Sequence, residues 1–87
     1  MKYVVYILQS TVTGSYYVGH TADLETRLRD HNTGQVGSTK PGKPWKVVYV
    51  ETHSTRSEAI IRERKIKSRK KRAYIESLIH RGVAQPG

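Results

Sequence analysis

Cysteine is absent from the 87 residues of this chain, and acidic side chains number only seven. Without thiols there are neither disulfides nor thiolate-held metals, which is compatible with a reducing cytosol, and a cytoplasmic protein is the expectation. No apolar run approaches the ~18 residues of a membrane-spanning helix, and Met1-Lys2 leads into a strand pattern rather than a signal peptide. No basic amphipathic stretch carries a Trp/Phe/Leu-rich insertion face, so a membrane partner is not expected. Repeats and low-complexity segments are also missing.

Against seven acidic groups stand sixteen Lys and Arg, a formal net charge of +9. Such a balance points to a polyanionic partner, nucleic acid before membrane. Placement strengthens this: Arg56 to Arg72 holds nine basic residues against only Glu58 and Glu63. The length suits one small domain that buries roughly 60–65% of its surface. We expect that domain over residues 1–82 and a frayed, flexible tail over 83–87.

The pattern along the chain predicts an α+β fold, a three-stranded antiparallel sheet with about three helices packed against it. Tyr3 to about Gln9 is apolar on both alternating sets, which suits a central strand covered on both faces. Tyr16–His20 pairs with it as a hairpin across the turn Ser10–Ser15, which contains Gly14. In that register Tyr6 and Tyr17 face each other or sit one pleat apart. A first helix should run from about Ala22 to His31, with Thr21 as N-cap and a C-cap signal in Asn32-Thr33-Gly34. Residues 33–44 read as an exposed, mobile loop. Trp45–Glu51 reads as the third strand. Thr55-x-x-Glu58 forms a capping box for a second helix, and a third should span about Lys70 to His80 and stop at Gly82.

Several polar residues stand out from this frame. Leu24, Arg27, Leu28 and His31 follow at i, i+3, i+4, i+7 and share one helix face. Two basic groups on one stripe with no carboxylate partner on it suit an anionic ligand, and a guanidinium can hold a phosphate through two parallel hydrogen bonds. Glu63 shares the inner face of the second helix with Ala59 and Ile66; charged side chains face inward when they are paired or bind metal, and Lys67 at i+4 is the available internal partner. Lys40 and Lys43 in the loop, and Arg62, Lys65, Lys67, Arg69 and Lys70 in the basic run, are candidates for neutralising phosphates. Tyr16 and Trp45 are either base-stacking platforms or buried sheet aromatics. His20, His53 and His80 are expected at the surface, with His20 able to line the rim of a site.

Val4-Val5-Tyr6, Tyr17-Val18-Gly19 ten residues further on, Arg27 and His31 in the helix, Asn32-x-Gly34, and Glu63 together resemble the GIY-YIG nuclease superfamily over roughly Tyr3 to Leu78. The likeness is to its small stand-alone members, similar to the catalytic module of the bacterial excision-repair nuclease subunit. Val4 stands where the signature has its first glycine, a change that a strand tolerates. The resemblance implies a metal-dependent endonuclease acting in repair or processing, on DNA by preference with RNA possible. It implies Tyr6 as the base that activates the nucleophile, Tyr17 orienting water or phosphate, Arg27 on the scissile phosphate and His31 relaying the proton. It further implies one Mg²⁺ or Mn²⁺ on the single carboxylate of Glu63. A phenol near pKa 10 is ionised in only about one molecule in a thousand at pH 7. Tyr6 must therefore be acidified by nearby cations or hand its proton onward as water attacks. Two rivals stand beside this reading: a nucleic-acid-binding module that does not cut, and an accessory protein acting on ribosomes or other proteins. Oligomeric state and substrate structure are left open by the residues themselves.

Overall fold

The computed structural model describes residues 2–69 and 72–84. β1 (Tyr3–Ser10) and β2 (Tyr16–Thr21) form the hairpin, and β3 (Trp45–His53) pairs antiparallel with the other side of β1. Ser10 organises the turn: its Oγ accepts the Val12 and Thr13 N–H groups at 3.1 and 2.9 Å, and Gly14 takes φ 77°. The sheet order β2-β1-β3 makes β1 central. That position explains the two apolar sets: Val5 and Ile7 on one face and Tyr6 and Leu8 on the other are at most 1% exposed.

Each face carries its own core. On one side α1 (Leu24–Thr33) lays Leu24 and Leu28 against Tyr6, Leu8 and Trp45. On the other, α2 (Arg56–Arg69) and α3 (Arg72–Ala84) bring Ala59, Ile66 and Leu78 against Val5, Ile7 and Val18. Burial of such side chains is worth about 1.5–3 kcal/mol each, and it holds in place helices too short to be stable alone. A bulge at Val48 shifts the β1–β3 register between Ile7 and Leu8. It lets Trp45 and Val47 point to the α1 side while Tyr49, Glu51 and His53 point to the α2 side. Among the described residues, no helix is long and apolar enough to cross a membrane.

Three local expectations are corrected. The N-cap of α1 is Asp23, whose Oδ1 accepts the Thr26 N–H at 3.2 Å, and the helix starts at Leu24 rather than Ala22. Thr21 instead accepts the Asp23 N–H at 3.1 Å, tightening the turn that leads into the helix. Residues 33–44 are no loose connector: they contain a 3₁₀ turn, Gly37–Gly42, with Thr39 and Gly42 buried. Ser10 Oγ donates to the Gly42 carbonyl at 2.6 Å, and Trp45 Nε1 donates to the Thr39 carbonyl at 2.7 Å. These bonds outweigh the glycines and prolines that suggested mobility. Finally, α3 continues through Gly82 to Ala84, because one glycine lowers helix propensity without ending a helix. The expected Gly34 cap does close α1, at φ 82° with its N–H on the Asp30 carbonyl. Thr55 caps α2 by accepting the Glu58 N–H at 3.2 Å, while the Glu58 carboxylate reaches back to the Ser54 N–H.

Candidate active site

The register explains how the two tyrosines meet. Tyr6 lies opposite Gly19 and Tyr17 opposite Leu8, so they share a face one pleat apart, with ring centroids 6.3 Å apart. Gly19 leaves room for the Tyr6 phenol: a Cβ there would stand 2.6 Å from Tyr6 Oη. His31, one helix turn past Arg27 and wholly buried, completes the group; its ring centroid is 4.8 Å from that of Tyr17.

The hydrogen bonds around His31 run in one direction. Thr39 Oγ1 donates to the Val36 carbonyl at 3.2 Å and therefore accepts from His31 Nδ1, 2.8 Å away. With its proton on Nδ1, the neutral imidazole leaves Nε2 as an acceptor for the Tyr6 hydroxyl at 3.1 Å. Burial pushes Tyr6 up to about 12, against the pull of Arg27. Burial also lowers His31, and the Arg27 charge lowers it further. Both groups thus rest neutral at pH 7. Hydrogen bonding to Tyr6 holds Arg27 above its usual value. Asp30 does approach the guanidinium, but only to 3.9 Å at a half-exposed position, so the stripe is not free of carboxylate as its spacing suggested.

Glu63 arrives from the opposite face. Tyr16, Val18 and His20 alternate toward α2, and His20 Nδ1 meets Glu63 Oε1 at 2.5 Å. Lys67 Nζ holds the other oxygen at 2.6 Å. Burial pushes the Glu63 carboxyl up, but the Lys67 and His20 hydrogen bonds outweigh it and keep the group below the ordinary carboxylate range. The Glu63 charge is felt at Tyr6, where it opposes ionisation.

Among the described residues no three His, Asp or Glu side chains gather to hold a metal. The donor set suits a hard, mostly hydrated divalent ion on one carboxylate: Glu63 is ionised, and Lys67, half exposed on a flexible stem, is able to swing away. A polar cleft of ≈ 530 Å³ opens beside this group, lined by His20, Thr21, Ala22, Asp23, Arg27 and Arg56. Arg56 was not in the site read from sequence, and His20 was expected no nearer than its rim. The alternation of β2 carried a signal for His20, since it shares a face with Val18; Arg56, on the first turn of α2, had none.

The other candidates divide. Arg62 Nε donates to Glu51 Oε1 at 2.7 Å, with His53 and Tyr49 on the same carboxylate, so its charge is turned inward and His53 is not simply a surface group. Lys40 and Lys43 are exposed and pass over Gly34, where the C-terminal end of α1 attracts cations. Lys65 and Arg69 are exposed, Arg69 lying 5.2 Å over the Tyr74 ring. Lys70 falls outside the described residues. Trp45 is 7% exposed and belongs to the core. Asn32 ties the end of α1 to β3: its Oδ1 accepts the Trp45 N–H at 2.5 Å and its Nδ2 donates to the Trp45 carbonyl at 3.1 Å.

Comparison with known proteins bears on the family and the fold. Residues 2–75 match the GIY-YIG catalytic domain. A UPF0213 protein of Staphylococcus epidermidis is 41% identical over 68 residues, covering 77% of this chain and 82% of its own. One from Haloquadratum walsbyi is 42% identical over 65 residues, covering 74% and 72%. The solution NMR structure of a UPF0213 protein from Bacillus halodurans superposes with a TM-score of 0.57 at 30% identity, over 92% of this chain and 84% of that one.

Proposed function

The chain belongs to the GIY-YIG nuclease family, and on that premise we propose that it is a metal-dependent endonuclease that hydrolyses phosphodiester bonds, in DNA before RNA, in repair or processing. The observation that carries the reading is the one-way chain from Tyr6 through His31 to Thr39, with the Arg27 charge acting on both ring groups. At a pKa of about 12, only about one Tyr6 in 100,000 is ionised at pH 7, so a preformed phenolate is not the base. Instead Tyr6 passes its proton to His31 Nε2 as it takes one from the attacking water. The water oxygen bonds to phosphorus while the bond to the leaving oxygen breaks. Arg27 holds the phosphate and meets its growing charge. Tyr17 orients the water. The low proton affinity of buried His31 then sends that proton back to Tyr6 as Tyr6 releases its other proton to solvent, and the departing oxygen takes one from water. Glu63 would hold one Mg²⁺ or Mn²⁺, which supplies charge stabilisation at the leaving oxygen. Arg56, across the cleft from Arg27, takes a neighbouring phosphate.

Cleavage of plasmid and branched DNA with Mg²⁺, Mn²⁺ or EDTA tests this. Tyr6→Phe and Glu63→Gln should each reduce the rate at least 100-fold, with binding in EDTA retained. A second reading, a module that binds without cutting, is favoured by the His20 and Lys67 contacts that already engage both Glu63 oxygens. Salt-dependent binding with no cleavage under any metal would establish it.

A further inference from the structure

An apolar groove at the start of β2 shares only Tyr17 and Lys67 with the chemistry above. Tyr16, Tyr17, Val18, Ile66, Lys67 and Ile75 line ≈ 280 Å³ between β2, α2 and α3. That is just under the ~300 Å³ at which drug-sized ligands begin, so a single ring system fits and a large cofactor does not. Its aromatic wall is set in advance. The Tyr16 hydroxyl donates to Glu76 Oε2 at 3.3 Å, and the Arg72 guanidinium lies 4.6 Å from the Tyr16 ring centroid. Arg72 is held in turn by Glu76 at 3.1 Å.

The groove adjoins the candidate active site along β2. Tyr17 and Lys67 belong to both: Tyr17 packs on His31, and the Lys67 ammonium holds Glu63. The polar cleft with Arg27 and Arg56 opens at the other end of the same strand, at His20 and Thr21. At ~3.3 Å per residue the two openings are about 10 Å apart along β2. An apolar slot walled by Tyr16, next to a cleft lined by Arg27 and Arg56, matches a planar neutral ring attached to a phosphate chain. A peptide or lipid would need no such neighbouring pair of arginines.

We propose that this groove receives one unpaired nucleobase of the strand being cut, close to the scissile phosphate, so that the substrate is single-stranded, flapped or bulged at that point. The proposal rests on the nuclease reading for the identity of the strand. In a base pair the planar edge is engaged by its partner and both faces by the stack, so a duplex cannot fill the slot without unpairing.

The test first alters the DNA and then the protein. A single-stranded oligonucleotide is titrated into the wild-type protein in EDTA, with an abasic residue moved one position at a time. One position should weaken affinity about tenfold, as loss of one aromatic stack predicts, with the others near neutral. The fully paired duplex should lose a similar factor. Tyr16→Leu, checked by thermal melting, should erase the position dependence. A uniform response to abasic residues, or equal affinity for duplex and single strand, overturns the proposal, as does a dimer that buries the groove and is not dissociated by DNA. Cleavage without position dependence would remove the groove and leave the nuclease reading. Position dependence without cleavage under any metal would do the reverse, and absence of binding removes both.

Discussion

Gly19 shows how little space the tyrosine pair has. A methyl group there would come within 2.6 Å of Tyr6 Oη and 2.8 Å of Tyr6 Cζ, and the ring, buried on the central strand, has nowhere to retreat. Gly19→Ala should therefore cost about 1–3 kcal/mol of stability. It should also slow cleavage at least tenfold by pulling Tyr6 from His31; a urea melt and a cleavage time course read the two effects, and an unchanged rate would contradict the geometry. His31 gives a pH dependence with a definite sign. Tyr6, Tyr17, Thr39, Arg27 and Asp30 surround it, and burial with the Arg27 charge lowers its proton affinity while Asp30 opposes. The unfolded chain, near pKa 6.5, then binds the extra proton first. Stability should fall as pH drops from about 6.5 through the lower folded value and be independent of this group above 6.5. Because only neutral imidazole accepts the Tyr6 proton, kcat/KM should fall over the same acidic range, and a midpoint above 6.5 would be inconsistent with it.

At the scale of elements, the 3₁₀ turn Gly37–Gly42 sets the chemistry of α1 from outside. Its glycine- and proline-rich sequence reads as loop, and only the buried Thr39 reveals its work. Thr39→Val removes the acceptor for His31 Nδ1, which either leaves a buried N–H unpaired or moves the proton to Nε2, where it blocks the Tyr6 bond. The expected result is about 1–3 kcal/mol of destabilisation and at least a tenfold slower reaction, both restored by Thr39→Ser. Denaturant titration beside single-turnover cleavage checks this. The bulge at Val48 has a parallel effect on β3. By reversing the alternation it sends Glu51 to the α2 side, where it claims Arg62.

For the whole molecule, the charge of +9 is divided unequally between internal pairs and free surface. Arg62 and Lys67 are paired with Glu51 and Glu63, whereas Arg56 faces the cleft with its guanidinium 5.5 Å over the Tyr3 ring. In a plot of log affinity against log salt, Arg56→Ala should reduce the slope by about 0.7–0.9, one phosphate contact. Arg62→Ala should leave the slope alone and lower the melting temperature. Equal slope changes would show that net charge, not placement, governs binding.

Much of this was legible from the chain alone because it is local. The i, i+3, i+4, i+7 stripe put Arg27 beside His31, and the two apolar sets of β1 made it central, since periods of 3.6 and 2 need only neighbouring residues. The Gly34 cap and the Thr55–Glu58 cap are equally short-range, although at the start of α1 the nearer Asp23 took the role expected of Thr21. What the tertiary structure alone decided was which polar group meets which. Tyr6 and His31 are 25 residues apart and His20 and Glu63 are 43 apart. No periodicity spans such distances: a buried donor takes whatever acceptor packing delivers, and packing is a property of the assembled sheet and helices.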